Sequence, residues 1–122
     1  MKKILVVDDE PDILKVVVFR LKKAGYEVVQ AALGKEALAL TKAARPDLVV
    51  LDYRLPDMSG IDIAKVMKAD EGLKGIPIIL LTASSDEDMA VAFKTACIDE
   101  YLKKPFDPDE LLAKVRGLVG KS

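Results

Sequence analysis

The sequence has no histidine or tryptophan, one cysteine, and only three tyrosines and three phenylalanines among its 122 residues. Without histidine there is no Ser-His-Asp triad and none of the usual zinc sites, so carboxylates, lysine and hydroxyls form the reactive inventory. Cys97 cannot form an internal disulfide. It agrees with a reducing compartment and reads as a small buried hydrophobe, because nothing basic in its immediate sequence would lower its pKa. An excess of one charge is missing too: 19 Lys and Arg against 20 Asp and Glu create no overall field toward nucleic acid or an anionic membrane.

Long hydrophobic runs are also absent. Runs such as residues 16–19 and 76–81 fall far short of the ~20 residues a membrane helix needs. The N-terminus shows neither an extended apolar region nor a small-residue cleavage site, and no Ser/Gly-rich linker or internal repeat interrupts the chain. These features lead us to expect one soluble, cytoplasmic domain over residues 1–122.

Half the residues are hydrophobic, enough for a core. Five short apolar runs alternate with helical patterns: Lys3–Val7, Glu27–Ala31, 48–51, 77–81 and the weaker Glu100–Lys103. Runs without polar alternation are those of strands covered on both faces, which predicts a parallel sheet in a doubly wound, three-layer α/β sandwich. Gly25 should close the first helix, Gly34 and Lys35 should precede the second, and Asp107-Pro108 with Glu110 should open the last through a capping box. The first helix offers Ile13, Leu14, Val16, Val17, Val18, Phe19 and Leu21, more than one buried face requires. Leu14 and Val18 are expected to form an outward docking patch.

In such sheets function gathers at the carboxyl ends of the strands. There the sequence places Asp8 and Asp9, Asp52, Thr82 and Lys104. Three carboxylates at one edge repel, each close pair by about 4 kcal/mol at an effective dielectric near 20, so the site calls for cations. Lys104 supplies one charge, and hard oxygen ligands suit Mg2+ for the rest. Asp8 and Asp9 make a natural metal clamp. Asp52, alone at the central strand's end, is the best candidate nucleophile toward phosphorus, with Thr82 and Lys104 placed to stabilise the transferring group.

Four segments carry a resemblance: Val6-Val7-Asp8-Asp9-Glu10-Pro11, the run from Leu51-Asp52-Tyr53-Arg54 to Ser59-Gly60, Leu81-Thr82-Ala83, and Tyr101-Leu102-Lys103-Lys104-Pro105-Phe106. In this order they resemble the receiver domains of two-component response regulators, of the single-domain chemotaxis-regulator type. The resemblance implies a flavodoxin-like, five-stranded sheet of order 2-1-3-4-5 and a cis bond before Pro105. It further implies Mg2+ held by Asp8, Asp9, Asp52 and the backbone carbonyl of Arg54, and phosphorylation of Asp52 by a partner histidine kinase or phosphotransferase. Thr82 and Lys104 would bind the phosphoryl group. A Thr82–Tyr101 relay would then alter the face made by the fourth helix, fifth strand and fifth helix, where a downstream protein binds. Self-phosphorylation and self-dephosphorylation are implied, not ordinary enzymatic turnover, nor direct binding of nucleic acid or membrane.

Cys97 stands where the family usually has glycine and Ile98 where a small residue is common, so the turn before the fifth strand is expected to pack differently. Arg54 and Ser84 occupy positions that the family varies to tune phosphorylation lifetime. Two rival readings share the fold. A magnesium-dependent aspartyl-phosphate phosphatase needs Asp-x-Asp where this chain has Glu10 at the second position, and a flavin carrier's phosphate would be repelled by Asp8, Asp9, Glu10 and Asp12. A receiver that binds partners without phosphorylation is a third, although all five site residues are present.

Overall fold

A computed structural model describes residues 1–83, 94 and 98–120. Five parallel strands, β1 (Lys3–Val7), β2 (Glu27–Ala31), β3 (Leu48–Asp52), β4 (Ile78–Thr82) and β5 (Glu100–Lys103), form one sheet of order β2-β1-β3-β4-β5. The described helices are α1 (Pro11–Lys23), α2 (Gly34–Ala44), α3 (Gly60–Ala69) and a C-terminal helix (Pro108–Val119). Cys97, Ser84 and the expected fourth helix lie outside the described residues.

The uninterrupted apolar strands follow from two cores that share them. Alternate side chains point to opposite faces. Ile4 and Val6 of β1 join Val50, Ile79 and Leu81 beneath α1 and the C-terminal helix, where Val17, Leu21, Leu111 and Val115 cover them. Leu5 and Val7 join Val49, Leu51 and Leu80 beneath α2 and α3, covered by Ala37, Ile63 and Met67. Each fully buried Val, Leu or Ile contributes about 1.5–3 kcal/mol relative to exposure, so β1, β3 and β4 anchor the site-bearing strand ends. Ile98, just before β5, packs into the α2–α3 core.

Four boundaries differ from the sequence expectation. β3 and β4 run one residue further, because Asp52 pairs with Leu81 and Thr82 with Lys103. Pro77 precedes β4, with its carbonyl accepting from Val49 N–H at 3.0 Å. Helix α2 starts at Gly34 itself, since the Asp57 carboxylate accepts the N–H groups of Gly34 and Lys35. The other ends fall as expected: Gly25 follows α1 at φ 98°, and Asp107 with Glu110 completes a capping box.

The α1 expectation needs correction. Val18 is buried and Leu14 packs against the core, whereas Val16 and Phe19 face outward at 50% and 66% exposure. Val17, Val18 and Leu21 form the stripe that meets the sheet, and the helical repeat turns Val16 and Phe19 away from it.

Candidate functional site

The strand ends bring Asp8, Asp52, Thr82 and Lys104 together. Asp8 is fully buried, with its backbone N–H on Ala31 O at 3.1 Å, and Asp52 and Thr82 are 5% and 1% exposed. Lys104 follows β5, and its N–H donates to Thr82 O at 2.7 Å. The Lys104–Pro105 bond is cis, as the resemblance implied. Lys104 Nζ lies 3.2 Å from Asp52 Oδ1, 3.3 Å from Asp8 Oδ2 and 3.1 Å from Glu10 Oε1.

Glu10, Asp52, Thr82 and Lys104 border a cleft of about 400 Å3 that also exposes Asp9, Tyr53 and Arg54. Burial raises the Asp52 carboxyl to about 6, and the Asp8 charge pushes the same way against the pull of Lys104. Burial lowers the Lys104 pKa, but its hydrogen bond to Glu10 and the charges of Asp52 and Asp8 outweigh that and hold it above the ordinary value.

Carboxylate oxygens of Asp8, Glu10 and Asp52 lie within 4.8 Å of one another. An all-oxygen donor set with one lysine for three carboxylates fits a hard divalent cation such as Mg2+. Asp9 lines the same cleft without belonging to this cluster. Glu10 is the member that sequence reasoning missed as a site residue; its place directly after Asp8-Asp9 was the available signal. The loop after β3 is drawn tight under Asp52: Gly60 N–H donates to Tyr53 O at 2.6 Å, and a Cβ on Gly60 would lie 2.4 Å from Asp52 O. Arg54 bridges Ser59 across this loop. Tyr101 is half-buried on β5, opposite Leu80.

Fold and site together define a doubly wound α/β domain with a carboxylate–lysine cluster at the carboxyl edge of its sheet. Residues 4–116 match the response regulator receiver domain model. The phosphate regulon transcriptional regulatory protein PhoB of Pseudomonas aeruginosa is 40% identical over 99% of this chain and 53% of its own length. The chain thus spans about half the length of the curated relatives it matches. The chemotaxis response regulator CheY4 of Vibrio cholerae superposes with a TM-score of 0.91 at 36% identity, covering 97% of this chain and 98% of that one. The receiver domain of the sensor histidine kinase PA1611 of Pseudomonas aeruginosa, with a magnesium ion coordinated in its active-site cleft, superposes with a TM-score of 0.88 at 31% identity over 98% of both chains.

The chain belongs to the response regulator receiver domain family. It is a phosphoacceptor signalling switch of two-component systems, and the phosphatase and phosphorylation-independent readings give way to that. Among the described residues, no helix is long and apolar enough to cross a membrane.

Proposed function

We propose that Asp52 is the phosphoacceptor, that Asp8, Asp9, Asp52 and the Arg54 carbonyl hold Mg2+, and that Thr82 and Lys104 bind the transferred phosphoryl group. The observation that carries this reading is the approach of Lys104 Nζ to a buried Asp52 carboxylate, 3.2 Å apart at the open cleft. Asp52 attacks the phosphorus of a phosphohistidine that lies outside these 122 residues, which contain no histidine. As the O–P bond forms, the P–N bond breaks and its electron pair returns to the imidazole, which takes up a proton. Lys104 balances charge on one equatorial oxygen and the Thr82 hydroxyl donates to another. Magnesium, when bound, would neutralise the remaining phosphoryl charge. Water attack on the acyl phosphate resets the switch, so phosphorylation and its reversal use one set of groups. Tyr101, two residues before Lys103 on β5, carries the response of Thr82 toward the face that a downstream protein reads.

The phosphodonor docks beside the cleft. A groove of about 610 Å3 runs between Ile13 and Val16 of α1 and the segment Pro105, Phe106 and Pro108, and reaches Lys104 itself. It supports a kinase or phosphotransferase approach along α1, with Val16 replacing the pair Leu14 and Val18 expected from sequence.

Incubation with Mg2+ and acetyl phosphate, followed by intact mass measurement, tests the acceptor. One added phosphoryl group is expected in the native protein and none in Asp52→Ala; a group that persists in the variant overturns the assignment.

A further inference from the structure

Helix α2 lacks a side-chain cap at its own N-cap position. Leu33 stands there in extended backbone, at φ −124° and ψ 151°, with a side chain that accepts no hydrogen bond. The acceptor comes from 23 residues downstream: Asp57 Oδ1 takes the Gly34 N–H at 2.7 Å and Oδ2 takes the Lys35 N–H at 3.0 Å. Those two N–H groups hold the Asp57 carboxyl below the ordinary carboxylate range. Met58 seats beside it so closely that a Cβ on Gly34 would lie 2.2 Å from Met58 Cγ.

Asp57 belongs to the loop that carries Arg54. The root of the loop is closed by the hydrogen bond from Gly60 N–H at the start of α3 to Tyr53 O just after β3, and its arms are joined by the Arg54–Ser59 bridge and by Leu55 N–H on Met58 O at 3.3 Å. Its first residue also reaches β4, where Tyr53 N–H donates to Leu81 O at 2.8 Å, and its tip reaches α2 through Asp57 and Met58. We propose that Asp57 is a positioning residue, whose clamp on the first turn of α2 fixes the loop and so holds Arg54 at the rim of the carboxylate cleft for a divalent cation. This rests on the magnesium reading above. A metal ligand supplied by backbone has no side chain to adjust, so its placement depends on how firmly its loop is tied.

The measurement is the Mg2+ dissociation constant of the whole chain by titration calorimetry, with circular dichroism in chelator as the fold control. Asp57→Ala is expected to weaken Mg2+ binding about tenfold, the lower end of what loss of an outer-shell partner costs. Asp57→Asn, which keeps one acceptor oxygen, should fall between Ala and the native residue. Adding Leu33→Ser to Asp57→Ala gives α2 a cap of its own without retying the loop, and binding should stay weak. Recovery of native affinity in that double variant would make Asp57 a helix cap only and overturn the proposal. Unchanged affinity in Asp57→Ala overturns it as well, as does a difference that disappears at high salt, the mark of long-range charge. A native protein that binds no Mg2+ at all removes the magnesium reading and this proposal with it.

Discussion

Glu10 Oε1 accepts a hydrogen bond from Lys104 Nζ at 3.1 Å, so the ammonium that faces Asp52 is shared with an acid that is itself more than half exposed. The two residues act on a bound cation with opposite signs. Lys104→Met leaves the Asp8, Glu10 and Asp52 carboxylates with no ammonium among them and should tighten Mg2+ binding, while Glu10→Gln removes one attracting charge and should weaken it. An interaction of about 1 kcal/mol corresponds to roughly fivefold in affinity. Because Glu10 faces solvent, its effect should shrink as salt is added, and the Lys104 effect should shrink less. Calorimetric titrations of both variants at two ionic strengths check this; shifts of the same sign would refute it.

Asp52 makes the metal-free protein less stable at neutral pH. Its folded-state pKa of about 6 lies above the ordinary 3.8, so between those values the folded chain binds more protons than the unfolded chain. Its contribution to unfolding free energy is then greatest below about pH 4 and falls as pH rises through 6, by on the order of 2–3 kcal/mol. Asp52→Asn cannot ionise there. Urea denaturation in chelator should find it more stable than the native protein at pH 7, with the gap closing toward pH 4. A gap that is constant with pH would contradict the buried-carboxylate account.

Gly60 and Gly34 separate two kinds of crowding. At Gly60 the intruding Cβ would meet the backbone oxygen of Asp52 at 2.4 Å, and that oxygen is fixed in the sheet. At Gly34 it would meet the side chain of Met58, which can rotate aside. Gly60→Ala should therefore cost about 1–3 kcal/mol and shift the resonances of Asp52, and Gly34→Ala clearly less. Thermal melts and amide spectra of the pair decide it, and equal losses would count against the argument.

What could be read in the sequence was whatever depends on neighbours along the chain. Leu48 to Leu51 announce a strand because every residue enters one of two cores, and Asp107 with Glu110 announces a cap within one helical turn. The topological rule that gathers strand ends also placed Asp8, Asp52, Thr82 and Lys104. What stayed hidden needs two distant segments at once. The bond between Lys104 and Glu10 spans 94 positions, and the cap from Asp57 to Gly34 spans 23. The outward face of α1 was misread for a related reason: seven apolar side chains fix no rotation for a helix until the sheet beneath selects Val17, Val18 and Leu21.

That rotation gives α1 a contrast open to direct test. Val17 is 1% exposed between the sheet and the C-terminal helix, whereas Phe19, two positions on, is 66% exposed. Truncating a buried β-branched residue loses its transfer free energy and leaves a space that the packed core fills only in part, so Val17→Ala should cost on the order of 2 kcal/mol. Phe19→Ser removes a ring that mostly meets water and should change stability by no more than about 0.5 kcal/mol. It should also leave phosphorylation by acetyl phosphate unchanged, because the small donor reaches Asp52 without touching α1. Denaturation midpoints and intact masses for both variants check the two halves. A Phe19→Ser protein as unstable as Val17→Ala would mean that the ring is packed, and the outward face of α1 would have to be redrawn.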